Sequence, residues 1–150
     1  MKNITLDFIK GILYTYADLN TPDSNLSYKY EIIEMELEKD ESIFLENQFQ
    51  LPEECLFTIE DINFEEFQKS LNNWFFKNGE ISNLQIDERR EDNYIELFFN
   101  NLNDLIYIKN IKTVEFSYAN EAYYELGIYY EYFFIEGDKN KYLVYFKYED

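Results

Sequence analysis

In the first segment Ile4, Leu6, Phe8, Ile12, Tyr14 and Tyr16 recur at every second position, interrupted only by Lys10. Period-two spacing predicts a strand, with Gly11 as a candidate bulge. Leu6, Ile9 and Leu13 stand at helical spacing, so residues 4–16 also admit a helix. Residues 20–25 (Asn-Thr-Pro-Asp-Ser-Asn) are turn formers and predict a loop. Leu26, Tyr28, Tyr30 and Ile32 then alternate, and at Ile32-Ile33 the parity slips to Ile33, Met35 and Leu37. A strand with a one-residue bulge accounts for such a slip. Beyond it Glu34, Glu36 and Glu38 share a face, about 7 Å apart at strand rise. Residues 39–42 read as a turn, 43–49 as a short strand that Pro52 ends, and 55–59 as a further strand or a lead-in to the next element.

The clearest helix covers 63–78. Asn63 is a capping residue with Glu66 three positions on, and Phe64, Phe67, Leu71, Trp74 and Phe75 repeat at helical spacing. Glu65 and Glu66 in the first turn and Lys77 in the last suit the helix dipole. Gly79 stands where a terminating glycine belongs. Residues 81–86 read as a short strand and 87–92 as a charged turn. For 94–108 two readings stay open: a second helix near 94–106, or two strands divided at Asn100-Asn101, toward which the asparagines lean. Residues 113–118 alternate as a strand. The aromatic runs 122–135 and 142–148 flank residues 136–141 and predict a hairpin. Both parities of that hairpin carry aromatics, so its strands are either covered on both faces or display tyrosine to solvent.

These elements predict an α+β fold, one domain over 1–150: a mainly antiparallel twisted sheet with a helix at 63–78 packed on it. Hydrophobic residues at 46%, with 20% aromatic, give a chain of this length the material to bury about two-thirds of its unfolded surface. That argues against disorder despite the charge.

The net charge of −18 opposes binding to nucleic acid or anionic membranes, which call for cationic groups. No run approaches a membrane span, and Asp7 and Lys10 interrupt any leader-like apolar stretch, so a cytoplasmic protein is expected. With no histidine, Ser-His and Cys-His nucleophilic sites and imidazole ligands are excluded. Four glycines form no phosphate-binding loop. Cys55 is the single cysteine, between Glu54 and Leu56, which disfavours both a disulfide and a reactive thiolate. Loops at 18–20 and 138–140 fail as calcium sites, the first at Pro22 and Asp23, the second at Tyr142 and Leu143. No enzyme, cofactor or metal is expected.

The acids gather between Glu31 and Glu66, where thirteen carboxylates face one base, Lys39, a local charge of −12. They alternate with apolar residues, which predicts folded surface. Carboxylates steer a basic partner and tyrosines anchor it. The candidate partner-binding set is Glu31, Glu34, Glu36, Glu38, Asp40, Glu41, Glu53, Glu54, Tyr124, Tyr130 and Tyr132. In size, acidity, aromatic content and absence of catalytic residues, the chain resembles the immunity proteins of bacterial toxin systems. That resemblance implies a tight cytoplasmic complex with a cationic, nuclease-like toxin domain. The alternatives are a DNA mimic, for which three glutamates make a short row against one charge per ~1.7 Å of duplex, and a domain whose acids serve solubility.

Overall fold

The computed structural model describes residues 3–51, 56–116 and 126–149. Its elements run α1 (Leu6–Asn20), β1 (Ser27–Glu36), α2 (Glu41–Phe49), β2 (Phe57–Ile62), α3 (Phe64–Asn72), α4 (Glu88–Ile106), β3 (Asn110–Phe116), β4 (Tyr129–Glu136) and β5 (Asn140–Glu149). The five strands form one antiparallel sheet in the order β1-β5-β4-β3-β2. The chain is α+β, as its patterning predicts, and holds more helix than the patterning shows.

Alternation along β4 and β5 sends residues to two different cores. Phe133, Ile135, Tyr142, Val144 and Phe146 pack with α1, α3 and α4 on one face. Tyr132, Phe134, Leu143 and Tyr145 pack with Leu45 and Phe49 of α2 on the other. The hairpin is therefore central and covered on both sides, the first of its two readings. The same geometry corrects the expected bulge in β1. The register from Ser27↔Glu149 to Glu36↔Asn140 is unbroken. The parity changes because Tyr30 and Ile32 serve the first core and Met35 the second.

From Leu6 on, the stretch 4–16 is helix, not strand. Thr5 Oγ1 caps the Phe8 N–H at 3.1 Å, and Ile9, Leu13, Ala17 and Asn20 make the buried seam while Phe8 and Tyr14 stay exposed. Residues 43–49 are likewise α2, capped by Asp40 and buried at Leu45 and Phe49, one helical turn apart. The expected strand at 81–86 is absent: residues 81–84 belong to a 3₁₀ turn (Glu80–Leu84), and 85–86 follow it outside any helix or strand. The charged stretch 87–92 is mostly the first turns of α4, capped where Asp87 Oδ1 accepts from the Arg90 N–H. Its core seam is Glu91, Ile95, Phe98, Phe99, Leu102 and Ile106, so 94–106 is the second helix and Asn100-Asn101 lies within it.

The helix at 63–78 is present, capped by Asn63 Oδ1 on the Glu66 N–H at 2.8 Å. Its last turn, Asn73–Lys77, widens to π geometry, closed by the Asn78 N–H on the Asn73 carbonyl at 2.9 Å. Regular α spacing would send three successive aromatics about 100° apart. The wide turn instead accompanies burial of Trp74, Phe75 and Phe76 together. Near this helix end the Trp74 carbonyl accepts from Tyr30 OH, and the Trp74 and Phe75 carbonyls both accept from Asn20 Nδ2. Gly79 is not a left-handed terminator, since its backbone is extended. Its role is spatial: a Cβ there would lie 2.5 Å from the Asn20 Cβ.

Candidate acidic docking corner

The sheet order leaves β1 at an edge, and its last residues turn into α2. Glu34 and Glu36 share a strand face and are exposed; Glu38 is also exposed but lies past the strand end. The expected row is therefore two residues long within the strand. Glu34 is held in place: its Oε2 accepts from Asn140 Nδ2 at 3.0 Å and from Tyr142 OH at 3.1 Å. Burial and that carboxylate raise the Tyr142 phenol above its ordinary range. Between the strand end and α2 lies a cavity of about 300 Å³, lined by Glu34, Met35, Glu36, Lys39, Phe44 and Asn140.

Other members of the expected set sit elsewhere. Asp40 is exposed, and its Oδ1 accepts from the Ile43 N–H at 2.9 Å, which makes it the α2 cap. Glu41 is spent on the fold: its Oε1 lies 2.9 Å from Lys112 Nζ and 3.9 Å from Lys141 Nζ, and its side chain is only 14% exposed. The shorter contact raises the Lys112 pKa, and the pair of lysines fastens α2 to β3 and β5. Glu31 stands opposite Tyr145 in the register, on the face away from Glu34 and Glu36. Tyr132 is fully buried and donates to the Leu126 carbonyl at 2.9 Å, so it is a core residue and not a displayed anchor. Tyr130 is half-buried against the second core. Glu53, Glu54 and Tyr124 lie outside the described residues. Among the described residues the most exposed tyrosines are Tyr14, Tyr107 and Tyr129.

A larger cleft, about 710 Å³, runs between α3 and α4, where the sequence patterning gives no site. Glu65, Glu88, Asp92 and Glu96 line it, together with the Lys77–Glu91 pair at 2.8 Å, whose carboxylate is buried. Reading 87–92 as a turn hides it; the capping pattern of Asp87 followed by acids at Glu88 and Glu91 is the available signal. One further carboxylate is half-buried on β4. Glu131 accepts from Trp74 Nε1 at 2.8 Å and Ser70 Oγ at 3.2 Å, and burial is the main cause of its raised pKa.

Among the described residues no group of three or more Asp, Glu or Cys converges in a way that could hold a metal ion, and no helix is long and apolar enough to cross a membrane. No protein-family model matches the chain, and no curated protein matches its sequence.

Proposed function

We propose that this protein is a non-enzymatic inhibitor that binds and neutralises a cationic protein through the β1–α2 corner. The fitting role is that of an immunity protein against a nuclease-like bacterial toxin in the cytoplasm. The supporting observation is that Glu34 and Glu36 are exposed on the edge strand β1 and line the cavity at its end, with Glu38 exposed just past the strand, whereas Glu41 is consumed by internal lysines. A charge of −18 accelerates encounter with a basic surface, and a nuclease site is basic because it is built for phosphate. Carboxylates presented beside apolar contacts then slow dissociation.

The test is co-purification with the product of a neighbouring toxin-like reading frame, combined with a nuclease assay on that product. A stoichiometric complex that abolishes nuclease activity supports the proposal. Absence of a complex, or a complex with undiminished nuclease activity, overturns it. Competition with DNA for several unrelated DNA-binding proteins would instead favour a phosphate mimic.

A further inference from the structure

β1 is the long open edge of the sheet. It runs ten residues with no proline and an unbroken register against β5. The opposite edge, β2, has six residues, two of them the adjacent acids Glu60 and Asp61. Edge strands are ordinarily shortened, bulged or interrupted, which stops another chain from pairing with them. Two hydrogen bonds fix which backbone groups of β1 face outward. The Tyr148 carbonyl accepts from the Ile128 N–H at 2.8 Å on the β4 side, so Tyr148 turns its backbone polar groups away from its β1 partner, Tyr28. Accordingly the Tyr28 N–H points out of the sheet and donates to Thr21 Oγ1 at 3.1 Å. Alternation then puts the N–H and carbonyl groups of Tyr30, Ile32, Glu34 and Glu36 on the same outer edge.

The chain itself closes both ends of that edge. Thr21 takes the Tyr28 N–H, and the Glu36 carbonyl accepts from the Lys39 N–H at 3.2 Å. Between them, the outward groups of Tyr30, Ile32 and Glu34 meet no strand and no hydrogen-bonding partner among the described residues. We propose that this open middle accepts an extended segment of the basic partner as a sixth strand of the sheet. The charges beside the edge set the chemistry of that segment. Glu34 and Glu36 are exposed on one face, Glu34 held by Asn140 and Tyr142, Glu31 stands on the other, and Lys29 is the single base of β1. A strand with lysine or arginine at alternate positions suits them, whereas a second copy of this chain would bring another −18. The proposal rests on the reading of the β1–α2 corner as a docking surface and adds its mode: backbone pairing holds the segment and alternate side chains select it.

The test titrates the full-length, nitrogen-15-labelled protein with three capped hexapeptides: Lys-Thr-Lys-Thr-Lys-Thr, Glu-Thr-Glu-Thr-Glu-Thr, and the lysine sequence with every backbone nitrogen methylated. The lysine peptide should bind saturably. At about ten times its Kd it should slow exchange of the Tyr30, Ile32 and Glu34 amides about tenfold. The Glu31 and Ile33 amides, already paired with β5, should not change. The methylated peptide keeps the charge and loses the donors, so it should bind at least about tenfold more weakly. The glutamate peptide should not bind. Glu34→Gln with Glu36→Gln should weaken the lysine peptide about three- to tenfold at low salt, and Glu65→Gln with Glu96→Gln should do so far less.

The proposal is overturned by a lysine peptide that does not bind, by equal affinity for the methylated peptide, or by protection that ignores the alternation. A dimer in which the Tyr30, Ile32 and Glu34 amides are protected before any peptide is added would also overturn it, since a second copy would then hold the edge. A toxin complex that forms while those three amides exchange as freely as before would sink this proposal and leave the proposed function standing. Peptide pairing at the edge without any toxin neutralised would do the reverse.

Discussion

Asn20 is the residue on which the helix layer depends most. Its side chain is fully buried at the end of α1. Nδ2 donates to the carbonyls of Tyr16, Trp74 and Phe75 and to Tyr30 OH at 2.9–3.3 Å, and Oδ1 accepts from the Ile81 N–H at 3.0 Å. One amide thereby joins α1, β1, the wide turn after α3 and the 3₁₀ turn. In Asn20→Ala the Ile81 N–H loses its acceptor and the Phe75 carbonyl its donor, while the Trp74 carbonyl keeps Tyr30 OH. Two orphaned buried groups at about 1–3 kcal/mol each predict a loss of about 2–5 kcal/mol, a large part of a domain's usual stability. Asn20→Asp keeps the acceptor for Ile81 but turns an oxygen toward three carbonyls, so at neutral pH it should be worse than alanine. Urea denaturation with an unchanged m-value reads both, with Asn25→Ala, an exposed loop asparagine, as control. A loss below about 1 kcal/mol for Asn20→Ala would refute the assignment of Asn20 as the hub.

Three further outcomes follow from the same geometry. Glu41→Ala should cost about 1–2 kcal/mol by freeing two lysines at the α2 anchor, whereas Glu36→Ala should stay within about 0.5 kcal/mol; equal costs in urea melts would erase the distinction between structural and free acids. Glu131 holds its proton more tightly in the fold than in the unfolded chain, so between the ordinary Glu pKa and its raised value the folded state binds more protons, and stability falls as pH rises through that window. Glu131→Gln should therefore gain on the wild type at neutral pH and lose that advantage on acidification, and a pH-independent difference in melting temperature would contradict this. Gly11 lies in α1, and a methyl group added there would meet nothing within 4 Å, so Gly11→Ala should raise stability by about 0.5–1 kcal/mol in the same denaturation assay; a loss would contradict the open position.

The sequence was most legible where pattern and capping agreed. Asn63, Glu66 and the spacing of Phe67, Leu71 and Trp74 locate a helix that the structure contains, and the aromatic runs around residues 136–141 locate the central hairpin. It misled where two periods fit the same residues. Phe8 and Tyr14 belong to a period-two series yet are exposed, so the alternation in α1 was incidental to its buried seam. In β1 a change of core resembled a bulge, because a sheet covered on both faces removes the contrast on which parity depends. The acidic site was partly visible. Strand spacing put Glu34 and Glu36 on one face, but no pattern showed that Glu41 would meet Lys112 and Lys141, which are remote in sequence. Tyr132 looked like a displayed anchor because alternation marks a face without saying what covers it.

The docking claim is tested most directly by the affinity for the neighbouring toxin-like product, measured across salt concentrations for the wild type and for Glu34→Lys, Glu36→Lys and Glu38→Lys combined. The matched control reverses Glu65, Glu66 and Glu96, three exposed acids on α3 and α4. At about 1 kcal/mol per reversed charge in a solvent-accessible interface, the corner variant should bind about 100-fold more weakly at low salt. That gap should narrow as salt screens it, and the control should lose far less. Equal losses in the two variants, or an unchanged affinity for the corner variant at low salt, would contradict the assignment of the β1–α2 corner as the docking surface.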